Sequence, residues 1–348
     1  MFFHMKRLMC ILCAIMTFLI ACAALHTISK LPADNKAHIE QKYAGWSGVL
    51  QAGVCSRWQP GGSLVRWLNR CAADFEKKHD GVYIEFIECE EMEIPGIFEI
   101  YTPDIFFFSP GVITDASAAS SVQTVCMGGY ALIYNRNMDN MNSLENIQPD
   151  TNASCYSAAA IALHGADIES EKLQIDTAMD IGLEASASDA DIFSRFVSGE
   201  IPCIAASTKD ISRLQKLSDA GKGPDWKAVC PGGIAFTDQL LYMMTPAALP
   251  SDGRNKVIEE FAAYLLTDKC QGYLSDIGAI PVCGERSYPS HSPYAVVEAS
   301  LSGEIITPPV FSEYCASDSA AIVRSFQAGE MDKAQAIKTI LENRRVKG

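Results

Sequence analysis

The side chains best placed for chemistry are polar and aromatic groups standing just after apolar runs that read as strands. Arg57, Trp58 and Gln59 follow the run ending at Val54, Ser109 follows Ile105 to Phe108, Ser207 and Thr208 follow Ile201 to Ala205, and Thr237, Asp238 and Gln239 follow the Gly232-Gly233 turn. Carboxylates and amides at fixed spacing suit the hydroxyls of a small polar molecule, and the rings of Trp58, Trp226, Tyr130 and Tyr314 offer flat faces to pack on it. Such groups hold a ligand rather than transform it. No nucleophile, base or metal constellation has workable spacing, so neither an enzyme nor a cofactor is expected. Gly221-Lys222-Gly223 is a turn rather than a phosphate loop, and the six histidines include no close pair. Cys10 and Cys13 have C-x-x-C spacing but lie inside the N-terminal apolar run, so no metal site is expected. Glu88, Glu90, Glu91 and Glu93 form an acidic cluster that reads as a solvated loop.

These candidates need a framework that brings distant loops together. Gly48 to Val54 and Val82 to Ile87 read as strands, and the intervening pattern predicts a helix capped by Ser63, with Leu64, Trp67, Leu68, Cys71 and Phe75 on one stripe. Trp67 therefore belongs to the core. Trp58 sits in a polar loop, where ligand contact and partial burial are both open, whereas Trp46 and Trp226 read as structural before they read as ligand contacts. Strand-helix-strand is the unit of an open parallel sheet, and Ile105 to Phe108, apolar on both faces, suits a buried strand of it. A weaker helix is expected over 188–197, a strand over 201–205 begun by Pro202, and a strand over 239–245 in which Tyr242 packs. Two helices meeting at Thr267-Asp268 follow, and closing helices are expected at about 317–328 and 331–344. In open α/β sheets ligands meet the loops at the carboxyl ends of strands, which selects the same candidates without any motif.

The chain has 348 residues, 48% hydrophobic and 20% charged, enough for two compact lobes. Its formal net charge of -14 opposes binding to a phosphate backbone, so nucleic acid is excluded as a partner. Lys6 and Arg7 precede an apolar run from Leu8 to Leu25 that reads as an export signal. The run contains Leu19-Ile20-Ala21-Cys22, which resembles a bacterial lipobox and implies lipidation of Cys22 on the extracytoplasmic face of the cell membrane. An uncleaved anchor helix is the alternative. Residues 23–45 read as a tether. Ten further cysteines are scattered irregularly, unlike a disulfide framework, and several read as small buried hydrophobes.

The stretch Phe261 to Val282, FAAYLLTDKCQGYLSDIGAIPV, resembles the family 1 extracellular solute-binding proteins, the maltose-binding-protein-like group. Phe75 to Gly81, Pro103-Asp104-Ile105, Gly129 to Asn135, Ser302 to Pro309 and Phe326 to Glu330 continue the likeness in order. The resemblance implies an α/β fold of the periplasmic-binding-protein-like type II class, with two lobes joined by a hinge and a ligand cleft between them. Residues 46–134 and 236–285 would form the first lobe, and 135–235 and 286–348 the second. It further implies a monomeric receptor that delivers a small ligand, preferably a sugar or oligosaccharide, to the permease subunits of an ABC importer. A ligand sensor coupled to a membrane kinase is the alternative. After Pro309, where sugar-binding members carry a stacking aromatic, this chain offers Tyr314 followed by Cys315-Ala316.

Overall fold

A computed structural model describes residues 45–94, 103–135, 189–201, 203–230, 235–247, 253–284, 286–303, 305–308, 310–311, 322, 325–326 and 328–344. Cys22, the tether, Tyr314 and most of the helix expected at 317–328 lie outside the described residues. Among the described residues no helix is long and apolar enough to cross a membrane.

The chain opens with β1 (Gly48–Cys55), α1 (Leu64–Glu76), β2 (Val82–Glu88) and β3 (Ile105–Phe108). β1 lies between β2 and β3, parallel to both. Alternation along β3 explains its continuous apolar run: Ile105 and Phe107 enter one core cluster, while Phe106 and Phe108 enter another on the opposite face. The Ser63 hydroxyl accepts from Arg66 N at 3.2 Å, capping α1 as expected. Helical spacing then turns Leu64, Trp67, Leu68, Cys71, Ala72 and Phe75 onto the sheet. The Trp67 indole donates to the Cys270 carbonyl at 2.9 Å, satisfying the one polar atom of a ring that is 2% exposed.

One strand missed in the sequence and one expected there complete this sheet. β4 (Ala119–Met127) and, much later in the chain, Leu240–Pro246 add antiparallel pairings, so the order is β2, β1, β3, Leu240–Pro246, β4. Between them the chain visits a second sheet. β5 (Tyr130–Asn135) pairs antiparallel with β6 (Cys203–Ser207) on one side and β7 (Trp226–Val229) on the other. The boundary expected after residue 134 therefore moves to the Gly128-Gly129 step, because β5 spends its backbone hydrogen bonds on β6 and β7. Around this sheet pack α2 (Asp189–Val197) and α3 (Thr208–Asp219), and their core holds Ile192, Phe193, Phe196, Ile211 and Leu214. A short parallel pair, β8 (Ala235–Phe236) with Ile305–Ile306, stands apart.

β9 (Leu240–Pro246) returns the chain to the first sheet, and α4 (Arg254–Leu265) and α5 (Asp268–Gly272) cover it. Thr267 stands between the two helices as expected. Gln271, 2% exposed, ties this region together: its amide donates to the Val125 and Leu265 carbonyls at 2.9 and 2.8 Å, and its oxygen accepts from Val282 N at 2.9 Å. Gly278 is left-handed, with φ of 72°, and the chain passes on to α6 (Pro293–Ser300) in the second lobe, β10 (Ile305–Ile306) and α7 (Lys333–Arg344).

Candidate functional site

Three chain segments run side by side where the lobes join. Met127 exchanges backbone hydrogen bonds with Ile280 at 3.0 and 2.7 Å, and Gly128 N donates to the Gln239 carbonyl at 2.6 Å. Thr237 Oγ1 donates to the Gly128 carbonyl at 2.7 Å and accepts from Gln239 N at 3.1 Å. Beside this strap the Thr208 hydroxyl donates to Gln239 Oε1 at 3.2 Å. A methyl group on Gly128 would lie 2.4 Å from Gln239 Oε1, 2.9 Å from Thr208 Oγ1 and 3.0 Å from the Trp58 ring, so only glycine lets these three side chains meet.

A cavity of about 820 Å³ opens between the lobes on this side. Its first-lobe wall comes from the ends of β1 and β2 and the start of α1: Ser56, Gln59, Ser63, Cys89 and the acidic trio Glu88, Glu90 and Glu93. Its second-lobe wall is the first turns of α3, with Lys209 and Arg213. The walls touch at one edge, where Gly61 packs on the Ser212 side chain and its carbonyl accepts from Lys216 Nζ at 3.2 Å. Acid on one side and base on the other set up a field across the cavity.

The structure places the expected site residues as follows. Gln59 lines the cavity. Arg57 is engaged with Glu91 through two contacts, Nε to Oε1 at 2.6 Å and Nη2 to Oε2 at 2.7 Å, and this guanidinium holds the Glu91 carboxyl below its ordinary range. Ser109, 1% exposed, shares a hydrogen bond of 2.9 Å with Ser56 and accepts from Arg57 N at 3.1 Å, fixing the loop after β1. Trp58 is 8% exposed and packs with the first-lobe core, so the burial alternative describes it; its indole nitrogen has no hydrogen-bond partner among the described residues. Ser207 caps α3 in a reciprocal arrangement with Asp210, and Thr208 belongs to the strap with Gln239. Asp238 accepts from the Tyr130 hydroxyl at 2.6 Å. Trp226 is not at the cavity: it lies in the second-lobe core and donates to Ser218 Oγ at 2.8 Å.

The sequence reading missed Lys209 and Arg213 because it missed α3, which starts without a loop directly after β6. The Ser207-x-x-Asp210 pair before Ile211, Leu214 and Leu217 is the capping signal that marks it. The acidic cluster, read as a solvated loop, contributes three side chains to the cavity wall. Burial pushes the Tyr242 hydroxyl up to about 12, in keeping with its packing role. Among the described residues no group of histidine, cysteine and carboxylate side chains is arranged to hold a metal ion.

No family model matches the chain, and no curated protein does so either. Among solved structures it is similar to the maltose–maltodextrin binding protein of the thermoacidophilic bacterium Alicyclobacillus acidocaldarius, at 13% identity and a TM-score of 0.58, over 85% of this chain and 99% of that one. The fold is thus maltose-binding-protein-like, of the periplasmic-binding-protein-like type II class, as the sequence resemblance implied.

Proposed function

We propose that the chain is an extracytoplasmic solute receptor that captures a sugar or oligosaccharide between its lobes and presents it to the permease subunits of an ABC importer. The observation that carries this reading is the interlobe cavity, walled by loops at the carboxyl ends of β1 and β2 and by the start of α3. The structurally similar protein is named for maltose and maltodextrin, which supports the carbohydrate preference. Hydroxyl and amide groups of Ser56, Gln59 and Ser63 and the facing charges would supply hydrogen bonds, and hinge bending would close the walls on the guest.

A ligand that binds only the folded receptor raises its melting temperature. A panel of maltose, maltodextrins and other neutral oligosaccharides, run beside amino acids and polyamines, tests the proposal. A rise with saccharides alone is expected; a rise confined to another class overturns the carbohydrate assignment. Lipidation at Cys22 belongs to the same proposal. Incorporation of labelled palmitate by cells expressing the chain is expected, with loss on Cys22→Ala; equal labelling of both forms removes the anchor from it.

A further inference from the structure

Two pairs of thiols stand in contact in the first lobe. The parallel register of β1 and β2 runs to Val54 opposite Glu88, which makes Cys55 and Cys89 the next neighbours. The ladder continues there, since Cys89 N donates to the Val54 carbonyl at 3.0 Å. Both side chains emerge on one face of the sheet: Cys55 belongs to the cluster containing Phe106 and Phe108, and Cys89 packs against it. Neighbouring strands lie about 4.8 Å apart, within the roughly 4.4–6.8 Å between Cα atoms that a disulfide bridges. The second pair, Cys71 of α1 and Cys270 of α5, is also in thiol contact, but both residues are 0% exposed. Cys89, by contrast, is half-buried and lines the interlobe cavity.

We propose that Cys55 and Cys89 form an oxidisable dithiol reached through the cavity, while Cys71 and Cys270, alike in contact but sealed in the core, stay reduced. The assignment is independent of what the cavity binds. A low-molecular-weight disulfide is the oxidant. The Cys89 thiolate attacks one of its sulfurs, breaking the reagent's S–S bond and releasing one thiolate, to leave a mixed disulfide on Cys89. Cys55 then gives up its proton and attacks the Cys89 sulfur, expelling the second thiolate and forming the Cys55–Cys89 bond. Two protein thiols are oxidised and one reagent disulfide is reduced to two thiols. The order follows from access: Cys89 is half-buried and lines the cavity, whereas Cys55 is 4% exposed behind it. The new bond would tie the ends of β1 and β2 together beneath Gln59 and the Arg57–Glu91 pair.

The test exposes the full chain, purified reduced, to oxidised glutathione, followed by quenching, alkylation of remaining thiols and peptide mapping by mass spectrometry. The Cys55–Cys89 crosslinked peptide is expected at least about tenfold sooner than a Cys71–Cys270 peptide, because only the former has an accessible attacking thiol. In Cys55→Ser the Cys89 peptide should accumulate as its glutathione adduct. In Cys89→Ser, Cys55 should remain reduced as long as Cys71 does, which keeps the test open should the buried Cys55→Ser variant fold poorly. Crosslinking of Cys55–Cys89 no faster than Cys71–Cys270, or the same level of Cys89 adduct in wild type and Cys55→Ser, overturns the proposal.

Discussion

The two lobes solve the same packing problem by different means. The first lobe buries both faces of its five-stranded sheet at the centre: Leu50, Ala52, Val54 and Phe107 join α1 and α4 on one side, while Phe106, Phe108 and Met244 fill the other, and Val49, Tyr83 and Ile87 at the β1–β2 edge stay exposed. The second lobe, in its described part, relies on three short antiparallel strands backed by α2, α3 and α6 in one cluster. Each lobe carries buried polar ties: Gln271 and the pair Asp104–Arg254 at 2.6 Å in the first, and in the second Glu298, 6% exposed, which accepts from Ser287 N at 2.8 Å and Tyr288 N at 3.3 Å. The sheet-based lobe presents acidic loops to the cavity, and the helix-backed lobe presents basic helix turns across it. The two walls of the cavity thus rest on differently built bases.

Emptying each core in turn separates the two lobes most sharply. Phe261→Ala in the first lobe and Phe196→Ala in the second each remove a ring that is at most 1% exposed and should cost about 3–5 kcal/mol. If the lobes differ as described, calorimetry will show Phe196→Ala lowering an early transition and leaving a later one in place, while Phe261→Ala lowers the later one. A single transition shifted equally by both would make the lobes one cooperative unit. A smaller loss, about 2–4 kcal/mol in urea titrations, is expected for Gln271→Leu, which leaves two carbonyls and one N–H unpaired in the core. Its second-lobe counterpart, Trp226→Phe, removes one hydrogen bond to Ser218 and should cost about 1 kcal/mol.

A pH experiment probes the first lobe's surface ties. Hydrogen bonds from Lys269, Lys77 and Tyr273 hold the Asp74 carboxyl below its ordinary range, so its contribution is present above the unfolded-state pKa of about 4 and fades as pH falls below it. Asp74→Asn should therefore lower stability near neutrality and converge on wild type as pH falls, which flattens the acid limb of a stability–pH curve. The smallest effect concerns the facing charges: Lys209→Glu should leave thermal stability within about 0.5 kcal/mol of wild type, since the side chain is exposed. An unchanged response of guest binding to salt in this variant would show that the field across the cavity plays no part in capture.

Legibility in the sequence followed the strength of periodic burial. β1, α1, β2 and β3 could be read because their apolar residues recur at strand or helix spacing, and α4 and α5 because Thr267 marks their junction. α3 could not, since only Ile211, Leu214 and Leu217 interrupt a polar run; nor could β4, whose outer half carries Ser120, Ser121 and Gln123 at a sheet edge. At the site, the rule that ligands meet strand ends located the right loops but not the duties within them. Ser109, Ser207 and Thr208 are hydroxyl residues after strands, as a ligand contact would be. Each is instead occupied by backbone or by a side chain, and two of those partners lie far along the chain: Ser56 for Ser109, and Gln239 for Thr208. Such partners become visible only when the fold brings them near.

The strap at Gly128 has a mechanical consequence. Met127 is bonded to Ile280 and Gly128 to Gln239, so three strips of chain must flex as one ribbon. A ribbon bends easily across its width and resists shear within its plane, which leaves the lobes a single soft rotation, a clamshell motion rather than a slide. A reporter pair placed on Lys209 and Glu90 would therefore track one coordinate, and a bulky residue at Gly128, pressed against Gln239, Thr208 and Trp58, would stiffen that coordinate.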